Sequence, residues 1–219
     1  MKRGIIFDLD GTMWDACETM ADSYEAYVRE FFPEYYAKGF SVTGEKARSV
    51  CGKPMEELGN IIFELIPAHI RKDILDDIWA YEVEYIREHG KVLIYPGLKE
   101  MLIRLKKLGY GLYIVSNCQK GYIEDFLYWS GTQELFDDFE SNGNTGLMKA
   151  DNIKLLAARN GLEKAVYVGD TQGDMDSADE AGVSFIHAAY GFGTVNREGP
   201  TARSAGEIAD IVEGEGEQE

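Results

Sequence analysis

Ile5, Ile6 and Phe7 form an unbroken apolar run that reads as a short buried strand, and Gly11 with Thr12 supplies its exit turn. The rhythm then becomes helical. "CETMADSYEAYVREFF" and "RKDILDDIWAYEVEYIREHG" place apolar residues at helical spacing, with no convincing alternation between them. From Val92 the pattern changes again. Pro96 and Gly97 open a helix whose Leu98, Met101, Leu102, Leu105 and Leu108 form one stripe, closed by Gly109. "LYIVSN" reads as a buried strand, "GYIEDFLYWSG" as a helix and "LFDDFES" as a short strand. "ADNIKLLAARNG" is a helix closed by Gly161, "AVYVGD" a strand, "DMDSADEAG" a helix, "VSFIHAA" a strand and "SAGEIADIVEG" a last helix.

Strands alternating with helices of this length imply βαβ units and a parallel sheet. The first strand belongs to that alternation and the helical block after it does not. The fold class is therefore α/β: a doubly wound parallel sheet, a Rossmann-like core, with an inserted helical cap domain. Residues 1–13 and 93–213 form the core, 14–92 the cap, and 214–219 a disordered tail. Ligands of such open sheets bind outside the carboxyl ends of the strands. Asp8 and Asp10, Ser116 and Asn117, and Asp170 and Asp174 all fall at strand exits, so the polar clusters gather at one sheet edge.

A formal net charge of −17 argues against nucleic-acid and anionic-membrane partners. It leaves a small anionic substrate open, because a metal or a lysine reverses the field inside a cleft. "MKRGIIFDLD" is no signal peptide, no apolar stretch approaches a bilayer span, and the three cysteines, Cys17, Cys51 and Cys118, lie far apart in the chain. These features fit a reduced cytoplasm.

In extended backbone, Asp8 and Asp10 point to the same side, and like charges there repel unless one stays protonated or a cation intervenes. Taken alone, "DLDGT" also reads as a turn, and "VGDTQGD" as an N-cap with first-turn acids. Two acidic pairs at two ends of one sheet favour a magnesium ion, whose hard-oxygen preference suits a phosphate substrate. Ser116 and Asn117 offer a hydroxyl and a backbone N–H where a helix begins, and equally an ordinary helix cap. Lys149, in "TGLMKADN", precedes another helix and can neutralise a phosphoryl oxygen.

The ordered set "DLDGT", "IVSN", "MKADN" and "GDTQGD" resembles the haloacid dehalogenase superfamily, and within it the phosphoglycolate phosphatase-like hydrolases with a helical cap after the first strand. The resemblance spans nearly the whole chain. It implies that Asp8 is the nucleophile and forms an aspartyl-phosphate, and that Asp10 protonates the leaving oxygen and then activates water. It implies that Ser116, Asn117 and Lys149 hold the phosphoryl group. Magnesium is implied at Asp8, Asp10 (through its backbone carbonyl) and Asp170, with Asp174 orienting Lys149 or a metal-bound water. Relatives often carry Lys-Pro where this chain has Lys149-Ala150, which removes a stiff turn but no reacting group. In the cap, "VCGKPMEELG" resembles a substrate-selecting loop. Lys53 and, just before it, Arg48 are the candidate specificity residues there, against a solvated helix start with Pro54 in its first turn. Trp14, near the hinge of the cap, is a further candidate that lines the substrate mouth or only packs the hinge.

Dehalogenation does not need Asp10, "GFG" at 191–193 lacks a dinucleotide fingerprint, and His69, His89 and His187 show no metal spacing. Cys118, beside the phosphate pocket, reads first as a small packing residue. The expected activity is a magnesium-dependent phosphatase acting on a small phosphorylated metabolite, 2-phosphoglycolate or a sugar phosphate. A sugar phosphomutase of the same fold and a non-catalytic binding protein are the alternatives.

Overall fold

The computed structural model describes the backbone of residues 1–216. Strand β1 (Arg3–Phe7) leads into a turn and a two-residue strand, β2 (Trp14–Asp15). The chain then leaves the core as helices α1 (Cys17–Phe31), α2 (Pro33–Tyr36), α3 (Gly44–Arg48), α4 (Met55–Ile62) and α5 (Ala68–His89). It returns through β3 (Leu93–Ile94), which pairs antiparallel with β2, so the exit and re-entry of the helical block are stitched together.

The alternation follows: α6 (Leu98–Lys107), β4 (Gly111–Ser116), α7 (Tyr122–Ser130), a 3-10 turn (Gln133–Leu135), β5 (Asp138–Ser141) and a single helical turn, α8 (Asn142–Thr145). Next come α9 (Lys149–Arg159), β6 (Lys164–Gly169), α10 (Gln172–Ala181), β7 (Ser184–Ala188), β8 (Thr201–Ala202) and α11 (Glu207–Gly216). The sheet order is β5-β4-β1-β6-β7-β8, all parallel. The pattern of apolar positions located the longer elements. The two-residue strands β2, β3 and β8 are too short to carry a periodicity.

Side chains of β1 alternate between two layers, as strand geometry requires. Ile5 and Phe7 join Leu98, Met101, Leu102 and Leu105 of α6 on one face. Ile6 joins Tyr113, Val115 and Tyr167 with Ile153, Leu156, Met175 and Ala178 of α9 and α10 on the other. Both faces are covered, which explains why these strands read as continuous apolar runs. One correction concerns the C-terminus: residues 214–216, expected in a disordered tail, complete the last turn of α11. The remaining tail residues lie outside the described ones.

The helical block is docked on the core. Arg87 of α5 pairs with the buried carboxylate of Asp125 on α7. The Trp129 indole N–H donates to the Ile86 carbonyl at 3.3 Å, and Asn117 Nδ2 donates to the Gly52 carbonyl at 3.1 Å. No described helix is long and apolar enough to cross a membrane.

Candidate active site

β1 is the central partner of β4 and β6, with Phe7 level with Ile114 and Val168. The residues just beyond those strands therefore converge: Asp8 after β1, Ser116 and Asn117 at the end of β4, and Asp170 after β6. Lys149, the first residue of α9, and Asp174, in the first turn of α10, come in from the adjoining helix starts. Asp8, Lys149, Asp170 and Asp174 are each at most 2% exposed.

Lys149 Nζ donates to Asp8 Oδ1 at 2.9 Å and to Asp174 Oδ1 at 2.5 Å. The other oxygen of Asp174 accepts from the backbone N–H and the hydroxyl of Thr171, at 2.9 and 2.7 Å, in a capping box that starts α10. Asp174 is thus fixed at both ends and aims Lys149 at Asp8. Asp170 Oδ2 accepts from the backbone N–H groups of Phe192 and Gly193, at 2.7 and 3.2 Å. The "GFG" segment, which reads as a plain loop in the sequence, is the clamp on this carboxylate. Gly11 has φ of +79°, and a Cβ there would collide with the Asp170 carboxylate, so the turn after β1 requires glycine.

Asp8, Asp170 and Asp174 each place a carboxylate oxygen within 4.8 Å of the others. Asp170 Oδ1 is buried and has no hydrogen-bond partner among the described residues. A buried carboxylate oxygen without a donor is costly unless a cation faces it. The donor set, all hard oxygens, fits a divalent cation of the magnesium type. The Asp10 side chain stands outside this cluster, because Tyr122 Oη donates to its Oδ1 at 2.8 Å. Among the described carboxylates expected to hold metal, three meet through side chains, and Asp10 is left with its backbone.

Charge crowding sets the electrostatics. Burial, then the charge of Asp174, pushes the Asp8 carboxyl up, against the pull of Lys149. Burial, then Asp174 and Asp8, pushes Asp170 up as well. Burial alone would draw the Lys149 ammonium down, but Asp174 and Asp8 outweigh it and keep the lysine charged. Asp10 is pushed up to about 7 by burial, with the Tyr122 hydrogen bond opposing.

Asp8, Asp10, Ser116 and Asn117 line one inner cleft with Lys53, Cys51, Met55 and Gln119. Its volume of about 30 Å3 holds a water molecule or so, so the loop after α3 lies tight against the strand ends there. A groove of about 870 Å3 outside it shares Met55 and Gln119 with the cleft.

The three candidate specificity residues separate. Lys53 lines the cleft, with its ammonium on Glu57 at 2.5 Å. Arg48 is turned to Asp15 and Glu18, at 2.8 and 3.1 Å. Trp14 is fully buried, edge-on to Tyr122 and Phe126, and has no face on the cleft. Cys17 and Cys51, far apart in sequence, bring their Sγ atoms to 3.5 Å. Sequence reasoning passed over Tyr122, Gln119 and the Phe192–Gly193 amides, since their roles depend on how loops return to the sheet edge. The traces they left are Gly121, whose φ is positive, and Gly191 and Gly193, where a Cβ would crowd Asp170 and its neighbours.

Compared with known proteins, residues 5–188 match the model of the haloacid dehalogenase-like hydrolases. The chain is 24% identical over 214 residues to a plasmid-borne phosphoglycolate phosphatase of Cupriavidus necator, covering 95% of this chain and 89% of that protein. It is 27% identical over 201 residues to a phosphoglycolate phosphatase of Aliivibrio fischeri, covering 86% of this chain and 84% of that protein. Its fold is similar to the crystal structure of a predicted phosphoglycolate phosphatase from Haemophilus somnus. That similarity has a TM-score of 0.81 at 20% identity, over 96% of this chain and 98% of the other.

Proposed function

The chain belongs to the haloacid dehalogenase-like hydrolase family, and from that premise we propose that it is a magnesium-dependent phosphatase of small phosphomonoesters working through Asp8. The observation that carries the reading is the buried Lys149 bridge between Asp8 and Asp174, beside an Asp170 oxygen that lacks any partner.

Asp8 attacks phosphorus, forming the Asp8 O–P bond as the bond to the ester oxygen breaks. Asp10, which burial holds near neutral titration, gives its proton to the departing oxygen. It then takes a proton from the water that attacks the aspartyl-phosphate, and the Asp8 O–P bond breaks to release phosphate. Lys149 keeps Asp8 ionised and faces the transferred group, while Ser116 and Asn117 hold phosphoryl oxygens at the end of β4. Asp8, Asp170 and the Asp10 backbone would hold a magnesium ion, which would supply charge neutralisation for nucleophile and phosphate. Exclusion of bulk water from the narrow cleft strengthens each of these contacts.

The named phosphoglycolate phosphatases among its relatives support 2-phosphoglycolate as the first substrate to try. The narrow cleft favours a small leaving group. A mutase needs a second phosphate grip in the cap. Among the described residues that line the cleft, Lys53 is the one cap cation, and it is paired with Glu57.

The test is phosphate release from a panel holding 2-phosphoglycolate and sugar phosphates, with and without magnesium, for wild type and Asp8→Asn. Magnesium-dependent release that Asp8→Asn abolishes is the expected result. An isomerised sugar phosphate without free phosphate, or turnover intact in Asp8→Asn, would overturn the proposal.

A further inference from the structure

Tyr122 opens α7, directly after Gly121, whose φ is +93°. The ring is 1% exposed and lies edge-on to Trp14, with centroids 5.2 Å apart. Its hydroxyl reaches Asp10 Oδ1 at 2.8 Å, and Met20 Sδ of α1 lies 3.3 Å from it. The phenol is therefore fixed by its own packing, and the hydrogen bond to Asp10 is its one strong polar contact among the described residues.

We infer that Tyr122 is a positioning residue for Asp10, selecting which carboxyl oxygen exchanges protons with the substrate. The inference rests on the phosphatase reading above. A phenolic O–H that donates to Oδ1 occupies that oxygen as an acceptor. The hydrogen of a protonated Asp10 is then favoured on Oδ2, because a carboxyl oxygen that carries a proton is the poorer acceptor for the Tyr122 hydroxyl. In the first step the Oδ2–H bond breaks as the proton passes to the departing ester oxygen. In the second, Oδ2 recovers a proton from the attacking water. The tyrosine neither gains nor loses a proton in either step. A phenylalanine keeps the ring and its contacts but removes the Oδ1 donor, so that the Trp14 indole is the remaining side-chain donor near Asp10 and the preference for one oxygen is lost. Nothing in the sequence marks this residue, since it lies beyond the strand exit that carries Ser116 and Asn117.

Proton donation matters for a basic leaving group and little for one that departs readily as an anion. The test measures kcat/KM of wild type and Tyr122→Phe on 2-phosphoglycolate, an alkyl ester, and on p-nitrophenyl phosphate, whose phenolate leaves unaided. The expected result is a loss on the alkyl ester at least about tenfold greater than the loss on the aryl ester, carried by kcat rather than KM. Asp10→Asn should give the same asymmetry on a larger scale. Turnover of the aryl ester also reports that the variant is folded. Equal losses on both esters, including loss of both through misfolding, or no loss on either, overturn the role of Tyr122 and leave the phosphatase reading standing. A wild-type protein that releases phosphate from neither ester overturns both.

Discussion

Lys149 and Asp8, 141 positions apart in the chain, meet in a 2.9 Å ion pair with both side chains only 3% exposed. The lysine is shared with Asp174, so it answers two buried carboxylates with one charge. Removing one partner of a buried pair is far costlier than the pair's net worth, because the other charge remains without water. Lys149→Met should lower the free energy of unfolding at neutral pH by about 3 kcal/mol or more. It should also reduce kcat by at least about a hundredfold. Urea melts and phosphate release check the two effects separately, and retained stability would show that the carboxylates relax without their cation.

Magnesium should raise the melting temperature of the wild-type protein, by the equivalent of about 2.7 kcal/mol at a hundred times its dissociation constant. Asp170→Asn should cancel that shift. In chelator, the same variant should melt above wild type, because burial and the charges of Asp174 and Asp8 push Asp170 up and make its ionised form destabilising. Opposite effects of one substitution with and without metal distinguish a ligand from a fold-supporting acid.

Glu82 of α5 is 1% exposed, accepts from Tyr24 Oη at 2.9 Å through Oε2, and has no completed hydrogen bond at Oε1, though the Gln119 amide approaches it. Burial pushes it up to about 8. The native state then keeps a proton that the unfolded chain releases near its ordinary value of 4.5. Stability from this group is whole below that value and falls as pH rises towards 8, after which it levels off. Glu82→Gln should flatten the decline by up to about 1.4 kcal/mol per pH unit, read from denaturant midpoints across that window. Parallel curves for variant and wild type would count against a protonated Glu82.

Asn117→Ala should loosen the cap loop in the substrate-free protein, since the Asn117 amide donates to the Gly52 carbonyl. Loss of one such bond, worth about 1 kcal/mol, corresponds to roughly fivefold faster amide exchange at residues 50–53. Unchanged exchange there would mean that Arg87 and Asp125 hold the cap without this contact.

What could be read from the sequence followed from where the chain changes direction. Asp8, Asn117 and Asp170 each sit one residue beyond the end of a strand, a position that the end of an apolar run marks, and Lys149 sits at a helix start. The pairing of Lys149 with Asp174 was implied by the family resemblance and not by the pattern of positions. The clamp of Phe192 and Gly193 on Asp170 was not legible, because it arises between segments that the pattern treats independently. Cys17 and Cys51 make the same point: neither carries a local signal, and their 3.5 Å approach exists only once α1 packs on the loop after α3. Arg48 shows the converse. Its place in the cap loop marked it for substrate, while Asp15 and Glu18, invisible as neighbours in one dimension, claim its guanidinium.

The first strand of the chain becomes the middle of the sheet, bonded to β4 and β6. During synthesis, the segment bearing Asp8 must therefore wait, unpaired and apolar, until Ser116 and then Val168 have emerged, while the intervening helices assemble from local contacts. Asp8, the proposed nucleophile, is among the earliest residues made, yet its strand gains its second neighbour only when β6 emerges. A nascent chain arrested after α5 would hold its first strand without either of its sheet partners.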